Sequence, residues 1–166
     1  ICASMVVGDS IGYFIVQETY EELQYVDMTV TGQNSGLFNY SVYSAMASDP
    51  AVGGLTDALS PILAQTVTAR HSSTMLFEPT VTVIGFEPEN DAGFGNFVLE
   101  DGTEITGEGL AGGEAMINRA LADSLGANVN DIIILTYPLG TYPFTTTEKQ
   151  NITVASILAD EGKTLY

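Results

Sequence analysis

The 166-residue sequence has one cysteine, one histidine, no tryptophan and only four lysines plus arginines. Each shortage closes a class of function. The single thiol, Cys2, excludes an internal disulfide and leaves the redox compartment undetermined. It lies in the apolar stretch Ile1–Val7 with no basic neighbour to lower its pKa, which favours an inert thiol over a nucleophile. With His71 alone, neither a His-rich zinc site nor a two-histidine acid/base pair can be built. Four basic residues against 21 acidic ones leave a net charge of −17, which repels nucleic-acid phosphates and anionic lipid headgroups. After the first residues no window reaches the roughly 18 unbroken apolar residues of a membrane helix.

What is present is a globular chain. Hydrophobic residues make up 45% and charged residues only 15%, a balance that excludes a disordered tail. The length fits one domain, or two small subdomains sharing a core. Local signals agree best between Gly113 and Tyr137. Ala115-Met116-Ile117 is a short strand, and Asn118 follows as a residue whose side chain accepts an N–H of the next turn. Ile117, Leu121 and Leu125 recur four apart with Ala120 and Ala122 beside them, giving one apolar stripe, while Arg119, Asp123 and Ser124 point elsewhere. Gly126 ends the helix in the left-handed conformation of a C-terminal cap. Ile132-Ile133-Ile134-Leu135 then reads as a strand buried on both faces.

The pattern Gly113-Glu-x-x-Ile117-Asn118-x-x-Leu121-Ala122-x-x-Leu125-Gly126-x-x-Val129-x-Asp131-x-Ile133-x-Leu135 resembles the extracytoplasmic core domain of FtsX-like ABC-transporter permeases, the family that includes MacB. Val6-Val7-Gly8-Asp9-Ser10 with Asp27-Met28-Thr29-Val30 resembles the segment leaving that family's first membrane helix and the strand after it. Val81 to Phe86 resembles its mid-domain strand, and Ile152 to Leu158 its late one. These are packing patterns, none of them a catalytic signature. Asn130 departs from the family, which usually has Gly before the Asp.

Elsewhere, Met5, Val6, Val7, Ile11, Phe14, Ile15, Tyr20 and Leu23 form an apolar stripe over residues 3–23, predicting an N-terminal helix interrupted by Gly8 and Gly12. The absence of a charged n-region before Ile1 argues against a signal peptide. The stub reads instead as the continuation of a membrane span, so that residues 1–23 are a membrane-proximal helix and 24–166 the core domain. Gln24 to Thr31 reads as a strand. Asn39 or Ser41 caps a helix over Tyr40–Ser48, stopped by Asp49-Pro50, and Asp49–Gly54 reads as a loop. Leu55 to Arg70 reads as a strand interrupted by Pro61, paired through the turn His71-Ser72-Ser73-Thr74 with Met75–Phe86. In the second strand Val81 and Val83 face one side, Thr80 and Thr82 the other. Glu87–Gly113 shows no sustained periodicity, apart from an anchored piece at Phe94, Phe97, Val98 and Leu99. Pro138–Asn151 reads as an irregular connection to a last strand, Ile152–Leu158, which can form a long-looped hairpin with Ile132–Leu135; the 14 residues between strands 115–117 and 132–135 permit a parallel crossover, and the choice stays open.

Chemistry-bearing residues are few. Gly107-Glu-Gly109-Leu-Ala-Gly112 spells a dinucleotide fingerprint, but a strand rather than a helix N-terminus follows it, so a flexible loop is the better reading. Glu87, Glu89, Asp91, Glu100, Asp101, Glu104 and Glu108 offer oxygen ligands for Ca²⁺ without the alternate spacing of a calcium loop, and read as a solvated acidic face. Ser72 and Ser73 beside His71 are turn residues before they are nucleophiles. Asn39-Tyr-Ser41 and Asn151-Ile-Thr153 spell N-glycosylation sites, meaningful only outside the cell.

The expectation is therefore a mixed α/β fold with a mixed β-sheet and short helices, with no catalytic, cofactor-binding or metal residues assigned. The resemblance implies a non-catalytic domain on the extracytoplasmic side of a permease that is dimeric in the membrane. A separate cytoplasmic ATPase would drive it, and its partner would be a transported substrate or an extracytoplasmic protein. The competing readings are a ligand-binding or adhesive surface module and a secreted hydrolase.

Overall fold

The computed structural model describes residues 28–32, 38–139 and 146–162. The fold is mixed α/β: one seven-stranded sheet accompanied by a few short helices. The predicted helix over 3–23 lies outside the described residues, as do residues 24–27 of the predicted first strand, and 28–31 form no strand.

The sheet is built from two hairpins joined side by side. Strands β1 (Ile62–His71) and β2 (Phe77–Phe86) pair antiparallel, as do β6 (Ile132–Leu139) and β7 (Thr146–Gly162). β1 joins β6 through four residue pairs, Thr68↔Thr136 to His71↔Ile133. Beyond Thr68 the pairing stops, so the Ile62–Val67 half of β1 separates from β6. β7 is the longest strand and organises the rest. Its second half takes β5 (Glu114–Asn118) in parallel and β3 (Phe97–Leu99) antiparallel, and β3 carries β4 (Glu104–Ile105). Thr153 pairs with both Ile132 and Glu114, and Leu158 with both Leu99 and Asn118. A strand has two edges, so β5 occupies one edge of β7 while β6 and then β3 share the other.

The helices are α1 (Tyr40–Ser48), α2 (Pro50–Gly53), α3 (Pro88–Asp91) and α4 (Arg119–Leu125). Of the two candidates, Asn39 caps α1, its side chain accepting from the Ser41 N–H. Asn118 caps α4 through the Leu121 N–H, and Gly126 closes it at φ 61°, as its left-handed role requires. The apolar stripe of α4 lies on the sheet: Ala122 and Leu125 are buried with Val67, Ala69, Ile117, Ala127, Ile133, Leu135 and Val154 in one cluster. Ala120, on the other side of the helix, is exposed.

Several expectations change. Asp49–Gly54 is not a loop: Pro50 takes the first position of α2, where its missing N–H is not needed, and the Asp49 side chain accepts from the Ala51 N–H. β1 begins only after Pro61, and Leu55–Pro61 is outside any strand; β2 begins at Phe77 rather than Met75. Ile132–Leu135 is not buried on both faces: Ile133 and Leu135 lie in the core cluster with α4, Ile134 is half-buried and Ile132 is 43% exposed. Of the stretch Pro138–Asn151 expected to be irregular, Pro138 and Leu139 belong to β6 and Thr146–Asn151 to β7, and residues 140–145 lie outside the described residues. β6 and β7 pair antiparallel, as the hairpin reading expected, and β5 runs parallel to β7 rather than to β6. Between Glu87 and Gly113 the chain forms α3, a 3₁₀ turn at Ala92–Phe94, β3 and β4. Phe97 is buried there, its ring 5.3 Å from that of Phe86.

Candidate functional site

His71 ends β1 at the point where four backbone segments meet, and it is 3% exposed. Its Nδ1 accepts two backbone N–H groups, from Ser73 at 3.3 Å and Thr74 at 3.0 Å. Two donors at one ring nitrogen require its lone pair, which places the proton of the neutral ring on Nε2. Nε2 lies 3.2 Å from Asp131 Oδ2, off the line of a well-directed hydrogen bond. Asp131 also accepts from the Asn128 N–H at 2.8 Å. That backbone donor, followed by His71, holds the Asp131 carboxyl below its ordinary pKa. The Ser72 N–H reaches Ile132 O at 3.0 Å, and the Thr74 hydroxyl reaches Leu125 O at 3.1 Å.

The residues of a serine hydrolase are thus present by type but wired for another purpose. A general base must offer a free lone pair to the serine hydroxyl while its second nitrogen is held by a carboxylate. Here the lone pair is spent on the turn backbone. His71 and Asp131 tie the β1–β2 turn to the α4–β6 loop. Ser72 and Ser73 contribute their backbone N–H groups to that tie. The sequence contained His71 and its serines, but Asp131, 60 positions away, had no signal linking it to them.

The acidic residues of the Glu87–Gly113 region are dispersed among protein donors. Glu87 accepts from the Tyr40 hydroxyl and from Asn90, Asp101 from the Thr103 N–H, and Glu104 from Asn96. Arg119 bridges Glu100 and Asp123, and its pKa is raised chiefly by Glu100. Asp91 is buried, whereas Glu89 and Glu108 are exposed. Among the described residues no three His, Cys, Asp or Glu side chains gather as a metal site would need. Cys2 lies outside the described residues.

Two glycines of the motif have separate structural explanations, and Gly112 has none. A side chain at Gly107 would collide with the Phe86 ring, and Gly109 sits at φ 88°. Strand β5 follows, so no helix N-terminus faces the loop.

One concavity accompanies these features. Where β1 leaves β6, the two hairpins diverge around a shallow cleft of ≈ 160 Å³, lined by Leu63, Val67, Val83, Leu135, Tyr137 and Gln150. It borders the core: Val67 and Leu135 belong to the buried cluster, and Val83 and Tyr137 pack against it. Small-molecule sites are usually about 300–1,000 Å³, so the cleft is undersized for one. The sequence did not reveal it, because it arises from the divergence of strands far apart in the chain.

No protein-family model matches the chain, and no curated protein matches it. Geometry and pattern therefore carry the functional reading. No helix among the described residues is long and apolar enough to cross a membrane.

Proposed function

We propose that this chain is a non-catalytic extracytoplasmic domain of an FtsX/MacB-like ABC-transporter permease. It couples ATP-driven motion of membrane helices to a substrate or an extracytoplasmic partner. The observation that carries the reading is the β5–α4–β6 unit, whose residues spell the family pattern. The conspicuous pattern positions have structural uses: Asn118 and Gly126 cap the helix, and Ile117, Ala122, Leu125, Ile133 and Leu135 are buried in the core. Asn130, where the family usually has Gly, adopts φ 73°, the conformation in which Asn is the best-tolerated substitute for Gly.

Two further features support a mechanical rather than a chemical role. One is that the lone histidine is engaged in a structural tie. The long β7 strand runs through both groups of paired strands, so force applied at one end passes along a continuous backbone ladder. ATP hydrolysis would take place in the cytoplasmic subunit, because no phosphate-binding loop is spelled in this chain.

The test is the complete reading frame and its product. The reading requires hydrophobic spans of about 20 residues flanking this sequence on both sides. It also requires co-purification of the detergent-solubilised full-length protein with an ATP-binding subunit, or a fused ATPase domain. A parent gene encoding neither flanking spans nor such an association removes the proposal.

A further inference from the structure

We infer that Asn39 is an N-glycan acceptor in the folded protein and that Asn151, which carries the same three-residue spelling, is not. The inference rests on the extracytoplasmic reading, since the lipid-linked oligosaccharide donor is used on that side of the membrane. Both sequences satisfy Asn-x-Ser/Thr, so composition alone cannot separate them. Their settings do.

Asn39 precedes α1 in extended backbone, at φ −66° and ψ 140°, and belongs to no strand. Asn39, Tyr40 and Ser41 are all exposed. The Asn39 Oδ1 accepts the Ser41 N–H at 2.9 Å, which engages the carbonyl side of the amide and brings the Ser41 backbone beneath it. Nδ2, the atom that receives the sugar, is on the opposite branch of the same planar group. Tyr40 and Ser41 form the first turn of α1, so drawing this site into an enzyme opens only that terminal turn and the Asn39 cap, with no sheet pairing broken.

Asn151 is equally exposed but sits inside β7, paired with Ile134. Two residues on, Thr153 is held on both edges of the strand, by Ile132 and by Glu114, and its N–H donates to Gly113 O at 2.8 Å. A transferase must draw asparagine and hydroxyl residue together into its cleft. At Asn151 this would require β7 to be peeled from β5 and β6, where Val154 is fully buried.

The transfer itself joins Nδ2 to the anomeric carbon of an oligosaccharide carried on a lipid pyrophosphate. The anomeric carbon–oxygen bond to pyrophosphate breaks, the lipid pyrophosphate leaves, and one Nδ2 proton passes to a base of the transferase. No redox change occurs.

The experiment exposes the purified, folded chain to a detergent-solubilised oligosaccharyltransferase accepting Asn-x-Ser/Thr and to its lipid-pyrophosphate oligosaccharide. Intact-mass spectrometry and glycopeptide mapping read the product. One added glycan at Asn39 is expected, abolished in Asn39→Gln and in Ser41→Ala, and retained in Asn151→Gln. An unmodified folded chain, or a glycan at Asn151, overturns the inference. A urea-unfolded sample of the same chain is the control, in which both sites should be accepted. Protease accessibility of the domain in intact cells expressing the full-length protein tests its location separately. A protected domain would defeat the extracytoplasmic reading even where the folded chain is glycosylated in vitro.

Discussion

Asn130 and Met75 are the non-glycine residues at positive φ among those described, at 73° and 63°. For a residue with a Cβ this conformation costs roughly 1–2 kcal/mol, and Asn recovers part of it through its short polar side chain. Asn130→Ala is therefore expected to lower unfolding free energy by about 1 kcal/mol, whereas Asn130→Gly should be tolerated within about 0.5 kcal/mol. Urea denaturation of both variants checks the pair, and equal loss in both would show that the asparagine side chain rather than the backbone angle matters. His71 makes a second residue-scale prediction. His71→Phe keeps a ring but removes the acceptor of two backbone N–H groups, at a cost of about 1–3 kcal/mol. Hydrogen exchange at Ser73 and Thr74 should accelerate more than exchange along β6. Asp131 gives the pH dependence. Its folded pKa is depressed, so its stabilisation is complete above the unfolded value of about 4 and is lost as pH falls through the lower folded value. Acid titration of stability should flatten in that window in Asp131→Asn, and an unchanged acid limb would remove Asp131 from the account.

At the scale of elements, α4 carries the most testable packing. Leu125 is fully buried between the helix and the sheet. Leu125→Ala should cost about 2–5 kcal/mol, the upper half of that range applying if the backbone of β1 and β6 holds the cavity open. Asn118→Ala should cost about 1 kcal/mol through the lost cap. Thermal unfolding monitored by circular dichroism would rank the two, and a smaller effect for Leu125 would contradict the core described for α4. This element was legible in the sequence because cap, stripe and stop all lie within a few residues of one another. So was the β1–β2 hairpin, with Val81 and Val83 packed on the core and Thr80 and Thr82 exposed. The ends of elements were less legible. Thr136–Leu139 and Thr146–Asn151 lack a strong apolar pattern, yet they pair in full as β6 and β7 because their register is continued from Ile132–Leu135. The short helix at Pro50–Gly53 was hidden by its proline and by the glycine pair Gly53-Gly54 at its end. Its start is fixed by the Asp49 side chain and the favourable first-turn position of Pro50.

For the whole molecule, a net charge of −17 opposes compaction. Raising NaCl from about 0.1 M to about 1 M shortens the screening distance from about 10 Å to about 3 Å. The melting temperature should rise over that range, and KCl should act alike; a flat or falling response would show that the carboxylates are too dispersed to repel. By itself, the sequence determined the fold class, the β5–α4–β6 unit, the hairpin and the exclusion of thiol-pair and multi-histidine chemistry. Those properties follow from local periodicity, capping residues and residue counts. Only the tertiary structure decided that β5 and β6 flank β7 on opposite edges, that Asp131 meets His71, and that the hairpins diverge into a cleft. Such relations join positions tens of residues apart. They are set by which strand edges find partners and which faces find cover, quantities that no window along the chain contains.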